Sequence, residues 1–210
     1  MTMDRDFIER LEKRLREPKP GLRGQLSMAP NPRPGQRVYT EVEDTCLKAG
    51  VMVLLYPRQG STHLALIQRT KTVLHHRDQI GFPGGQMEPH EDTVGAALRE
   101  TNEELGIPPD RIQIIGSLTP LYIPPSNYCI YPAVGAAAEP LIFKPHPEEV
   151  AEVIELPLSH LLDSRHRRRE TRTIRGNLVE VPFFSFHGHK IWGATAMVLA
   201  EFLAVLRSLE

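Results

Sequence analysis

Residues Gly85–Ile107 read GQMEPHEDTVGAALRETNEELGI, and their spacing already describes a site. Five residues separate Gly85 from Glu91 and seven separate Glu91 from Arg99-Glu100, after which come Glu103-Glu104 and Gly106-Ile107. Thr93 to Leu105 lacks proline and is rich in Ala, Leu, Glu and Arg, so it reads as a helix. Asp92 or Thr93 suits its N-cap, and Gly106 stands where a helix stop belongs. On that helix Glu100, Glu103 and Glu104 fall at i, i+3 and i+4, crowding one face with like charges that repel even in water. Ala97, Leu98, Thr101 and Leu105 supply the smaller, more apolar surface for packing. A clustered carboxylate face offers the oxygen ligands of a hard divalent cation, and Mg²⁺ bridges readily to substrate phosphates. For E-x-x-E-E alone a solvated acidic helix is the better reading. Glycines and an arginine at fixed offsets favour the metal.

The pattern resembles the Nudix box, G-x5-E-x7-R-E-U-x-E-E-x-G-U with U a bulky aliphatic residue. Its one departure is Thr101 at the first U, a β-branched residue that can still face the core. The resemblance implies a hydrolase of a nucleoside diphosphate linked to another moiety, acting with Mg²⁺ or Mn²⁺. The approach to the box, Arg69 through Leu74 and then Gln79-Ile80 to Gly85, resembles the coenzyme A pyrophosphatase branch of that family. In the branch's H-x-G-Q element His76 matches, while Asp78 replaces the glycine. The phrases LTPLYIPPSNYCIYPAVG (118–135) and WGATAMVLAEFL (192–203) resemble the same branch.

Length and composition agree with one enzyme-sized core. The chain has 210 residues, a formal net charge of −1 and 24% charged residues, so no global charge draws it to nucleic acid or an acidic membrane. No run approaches the ~18 apolar residues of a membrane span. The charged, amphipathic N-terminus lacks a leader pattern, and the expectation is a cytoplasmic protein. Cys46 and Cys129 are too few for a disulfide framework and suit a reducing compartment, as buried structural residues.

Phe7, Ile8, Leu11 and Leu15 recur at helical spacing, ended by Pro18 and Pro20. A Pro- and Gly-rich arm follows to Gln36, so residues 1–36 are expected to form a helical arm and 37–210 the hydrolase domain. The helix is expected to dock on the domain or on a second subunit. Ala49–Tyr56 is a strand buried on both faces and His63–Arg69 its hairpin partner. Further strands are expected over Ile112–Leu121, Tyr128–Ala137, Glu148–Leu156, Glu170–Ile174 and Leu178–Phe186, with a C-terminal helix opening near Lys190 and Ile191-Trp192. Ser164–Arg175 is densely basic; it suits phosphate, or a salt-bridged hairpin flank, and the flank is the better expectation for most of its arginines. Phe183, Phe184 and Phe186 beside it suit a homodimer contact. The whole reads as an α/β protein, a Nudix-type α/β/α sandwich with a mixed sheet.

For the site, Glu100 and Glu104 are expected to hold the metal, with Glu103 reaching a second ion or orienting water. The catalytic set is Glu103, Arg99 and Glu149, with Glu103 and Glu149 as alternative bases and Arg99 fixing carboxylates alongside Glu91. Arg69, Gly84, Gly85, Ser126 and Asn127 are the expected substrate contacts. For Ser126 and Asn127 a Pro-directed turn is an equal alternative, and for Glu149 an exposed strand carboxylate. Three further readings stay open. One is another nucleotide specificity, such as ADP-ribose or NADH. The second is a non-catalytic nucleotide-binding regulator, against which the intact glutamates and Arg99 speak. The third is an RNA-processing role such as cap removal, disfavoured by the balanced charge and the absence of an aromatic-basic stripe.

Overall fold

The computed structural model describes residues 2–31, 45–70, 79–174 and 176–209. Leu74, His75, His76, Asp78, Arg175 and the arm from Pro32 to Gln36 lie outside the described residues. In chain order the elements are α1 (Arg5–Arg16), α2 (Gly21–Leu26), β1 (Leu47–Arg58), β2 (Ser61–Arg69), β3 (Ile80–Gly81), β4 (Gly84–Gln86) and α3 (Thr93–Leu105). There follow β5 (Gln113–Ser117), β6 (Leu121–Ile123), β7 (Tyr128–Ala136), β8 (Val150–Pro157), α4 (Leu158–Leu162), β9 (Arg167–Ile174), β10 (Asn177–Phe186), β11 (His189–Trp192) and α5 (Gly193–Arg207).

β1 is the axis of an eight-stranded mixed sheet. It runs parallel to β7 from Leu47↔Tyr128 to Leu55↔Ala136 and antiparallel to β2 only at the hairpin end, Leu55↔Leu64 to Arg58↔Ser61. Beyond that β1 and β2 part. β8 takes the other edge of β2, so β3, paired to Ile67 and Gln68, and β4, paired to Ala49–Val51, both lie in the gap. The segment Ile80–Gln86 is thus wedged into the sheet instead of lying over it. Met52 N–H reaches Pro83 O at 2.9 Å inside this wedge.

The alternation of β1 then builds two cores. Met52, Leu54 and Tyr56 pack under α3 with Ala65, Ile67, Ala97 and Leu105. Val53 and Leu55 face the opposite layer, where Leu11 and Leu15 of α1 meet Leu199, Phe202 and Val205 of α5. This is the expected α/β/α sandwich, and the first helix docks on its own chain. Glu201 of α5 anchors the arm: fully buried, it accepts from Gly21 N–H, Gln25 Nε2, Thr119 N–H and Thr119 Oγ1. A buried carboxylate is tolerable only with such satisfaction.

Four expectations need correction. The strand expected over Ile112–Leu121 is two, β5 and β6, because Pro120 has no ladder N–H and Thr119 N–H is taken by Glu201. His189–Trp192 is a strand on β10, so the last helix opens later, at Gly193. Phe183 and Phe184 are buried within their own chain, and Phe186 packs half-buried against the same core. Cys46 and Cys129 form a disulfide, their Cα atoms 5.7 Å apart, because the parallel register sets the start of β1 beside the start of β7.

Among the arginines of β9 and its approach, Arg165 pairs with Asp163 at 2.6 Å, Arg169 with Glu180 at 2.7 Å, and Arg172 with Glu170. For these three the salt-bridged flank is what the fold shows.

Candidate active site

α3 is held at both ends as the sequence requires. Asp92 Oδ1 accepts from Gly95 N–H at 2.7 Å, and Gly106 closes the helix at φ 67°, donating its N–H to Asn102 O. The helix can lie close on the sheet because β1 carries Gly50, where a Cβ would stand 1.9 Å from Thr93 O. Thr101 is buried, its hydroxyl turned to Ala97 O at 2.6 Å, so it fills the aliphatic position of the box from the core side.

The three glutamates of the box occupy three depths. Glu104 is fully buried beneath the wedge: Oε1 accepts from Arg69 Nη2 at 2.7 Å and Oε2 from Gly84 N–H at 2.9 Å. Burial pushes its carboxyl up to about 8, only partly offset by Arg69 and the Gly84 N–H. Glu100 is half-buried against Gly85, where a Cβ would lie 2.2 Å from its Oε1. Its carboxyl is also raised, by burial first, against the pull of Arg99. Glu103 is 53% exposed and faces solvent.

Arg99 binds this cluster together. Nη1 donates to Glu100 Oε1 at 2.9 Å and Glu103 Oε2 at 3.0 Å, and Nη2 to Glu91 Oε1 at 2.9 Å and Gln86 O at 3.1 Å. Nε adds Glu91 Oε2 at 3.3 Å. Glu91, also bonded by Glu88 N–H, is held below the usual carboxylate range by the Arg99 hydrogen bond. Its role is to fix the arginine. Gln86 was no sequence candidate: its carbonyl holds Arg99 while its side chain accepts from Tyr128 Oη at 2.8 Å. A backbone oxygen leaves no mark in sequence, but the adjacency of Gln86 to Gly85 was the available clue.

Of the other expected contacts, Arg69, Gly84 and Gly85 converge on the box. Arg69 Nη2 also reaches Gly84 O at 3.0 Å. Glu149 is brought to the same end of α3 by its loop, in which His146 N–H bonds Glu104 O and Thr70 N–H bonds Glu149 O. Its charge contributes to raising Glu104. Ser126 and Asn127 lie at the β6–β7 turn and are engaged there: Ser126 N–H donates to Ile123 O, and Asn127, at φ 55°, accepts from Tyr122 Oη. It is Tyr128, the next residue in the chain, that touches the approach to the box, at Gln86.

Among the described residues no three acidic or imidazole groups enclose a single point, because Glu100 and Glu103 turn to Arg99 and Glu104 to Arg69. The donor set still fits a divalent cation. It is all oxygen, it presents three carboxylates from adjacent turns of one helix, and the missing Cβ of Gly85 leaves a cradle at Glu100.

The model of the NUDIX domain family matches residues 47–175, more than half of the chain. The chain belongs to the Nudix family. It is a Nudix pyrophosphohydrolase, of a family that acts on nucleotide substrates and generally uses a divalent metal. An uncharacterised Nudix hydrolase, NudL, of Photorhabdus laumondii is 33% identical over 180 residues, 85% of this chain and 91% of that protein. The human mitochondrial coenzyme A diphosphatase NUDT8 is 35% identical over 161 residues, 75% of this chain and 64% of that protein. Among solved structures the Nudix hydrolase RenU of M. smegmatis superposes with a TM-score of 0.51 at 18% identity, covering 78% of this chain and 88% of that one, a likeness of fold. No helix among the described residues is long and apolar enough to cross a membrane.

Proposed function

We propose that this Nudix hydrolase cleaves the pyrophosphate bond of coenzyme A or its thioesters, giving adenosine 3′,5′-bisphosphate and (acyl-)4′-phosphopantetheine. The observation that carries the substrate is the 35% identity to a coenzyme A diphosphatase over three quarters of the chain. Mg²⁺ or Mn²⁺ would be held by Glu100 and Glu104, with Glu103 at a second ion or at the water. Such an ion supplies charge neutralisation at the diphosphate and activation of water. The chain's own part is to arrange the acceptors. Arg69 locks Glu104 under Gly84, Arg99 separates Glu100 from Glu103 by standing between them, and the exposed carboxylate of Glu103 or Glu149 takes the proton of the attacking water. Water adds at one phosphorus, the bridging P–O bond breaks, and two phosphate monoesters leave.

The test is a hydrolysis screen of the purified protein with Mg²⁺ or Mn²⁺ against coenzyme A, acetyl-coenzyme A, NADH and ADP-ribose, read by product chromatography. Adenosine 3′,5′-bisphosphate formed mainly from the coenzyme A compounds is the expected result. A preference for ADP-ribose or NADH would discard the substrate and keep the chemistry.

A further inference from the structure

On the face of the sheet away from α3, the arm, α5 and the start of β9 enclose a second cleft, of about 670 Å³. That volume lies in the ordinary range of small-molecule sites, roughly 300–1,000 Å³. Four cations line it: Lys19 and Arg23 from the arm, Arg167 from β9 and Arg207 from α5. Among the described residues none that lines it is a carboxylate. Among the described residues neither Arg23 nor Arg207 has a salt-bridge partner, although most surface arginines of this chain do. Arg167 is oriented by its hydrogen bond to Ser27 O, and its guanidinium is held below its usual range by burial first and then by Arg169 and Arg207. Among the described residues the gathered charge therefore has no paired carboxylate.

Between these cations the floor is apolar, made by Leu161, Phe184, Ala200 and Leu203. Ser27 and Ser164 add hydroxyls at the rim. Lone like charges repel, so a groove that brings four together is relieved by an anion. A carboxylate offers one negative charge; a phosphate monoester offers about −1.5 to −2 and three acceptor oxygens, which suits guanidinium forks and serine hydroxyls better. The floor asks for an apolar body behind that head.

We infer that this cleft binds a phosphate monoester carrying an apolar body, at a site separate from the Nudix centre. The ligand's phosphate sits among Arg23, Arg167 and Arg207, and its apolar part covers Phe184 and Leu203. The reading does not depend on which nucleotide the enzyme hydrolyses.

The experiment is calorimetric titration of the full chain with dodecyl phosphate below its micelle concentration, beside dodecanoate and inorganic phosphate. One saturable site for dodecyl phosphate is expected, at least tenfold tighter than for either other probe and weakening as salt rises. The Arg23→Gln/Arg207→Gln double variant, whose two side chains are exposed, is expected to weaken it at least tenfold, while Glu100→Gln leaves it unchanged. Equal binding of dodecanoate would overturn the phosphate, and equal binding of inorganic phosphate would overturn the apolar body. A changed affinity in Glu100→Gln would move the probe to the Nudix centre, and no effect of the double variant would end the proposal.

Discussion

Arg69 Nη2 stands 2.7 Å from Glu104 Oε1 and 3.0 Å from Gly84 O, so one guanidinium ties the last glutamate of the box to the wedge above it. With Glu104 fully buried, this pair sets the depth at which the acidic cluster begins. Removing the negative charge while keeping the shape separates chemistry from architecture. Glu104→Gln retains an acceptor for Gly84 N–H and removes a buried carboxylate, but it sets its amide NH2 against Arg69 Nη2. The two effects oppose, so its melting temperature after chelation should stay close to the parent's. Its turnover should fall by at least about 100-fold, since an outer-shell loss alone costs about 10–100-fold and Glu104 is proposed as a direct ligand. Near-normal kinetics would remove Glu104 from the metal assignment.

Two glycines should give opposite phenotypes. A Cβ at Gly85 meets the Glu100 carboxylate at 2.2 Å, the movable end of a side chain, so Gly85→Ala should fold and lose at least tenfold in kcat. A Cβ at Gly50 meets the Thr93 carbonyl at 1.9 Å and Ala97 N at 2.9 Å, both backbone. Gly50→Ala must lift α3 from the sheet, and a loss of about 3 kcal/mol or more is expected by denaturant titration. Similar stabilities for the two variants would contradict the close seating of α3.

The disulfide joins residues 83 apart in sequence, and disulfides typically stabilise a fold by about 2–4 kcal/mol. Cys46→Ser, or reduction of the parent, should lower the melting temperature by roughly 4–16 °C at about 2–4 °C per kcal/mol for a chain of this size. Thiol titration of the unreduced, unfolded protein should find no free cysteine. Two free thiols would show that the pair stays reduced.

His160 and His166 stack with ring centroids 3.4 Å apart. Burial, and then the neighbouring His160, lowers the pKa of His166 below 6.5, despite the opposing pull of Asp163. A base whose folded pKa is depressed binds fewer protons folded than unfolded, so stability rises with pH through the interval up to 6.5 and is lost as pH falls across it. His166→Phe keeps a ring in the stack and removes the titration. Its melting temperature should therefore fall less than the parent's between pH 7.5 and 5.5. Parallel pH profiles would count against the stack as a titrating element.

The parts legible in sequence are those with local causes. Asp92 and Gly106 bracket α3 because caps act within one turn, and the strand Ala49–Tyr56 shows because a strand covered on both sides needs an unbroken apolar run. The depth of Glu104 was not legible: i+4 spacing places it beside Glu100, but its cover comes from Gly84, twenty residues upstream on a strand of three residues. β3 and β4 are too short to show a period. The disulfide likewise depends on the parallel register of β1 and β7, which no spacing between Cys46 and Cys129 reveals. For Ser126 and Asn127 the structure supplies the turn and Tyr128's link to Gln86, and their contact with substrate stays a proposal.

The layer opposite α3 is assembled from both ends of the chain, α1 and α2 from one and α5 from the other, fastened at Glu201. All of these lie outside the region 47–175 by which the family is recognised. A fragment trimmed to that region would lose the helices α1, α2 and α5 from the core that holds Val53 and Leu55, uncovering apolar surface on that face of its sheet. Kinship is therefore written in the middle of this polypeptide, while the covering that keeps one face of that middle dry is contributed by its two extremities.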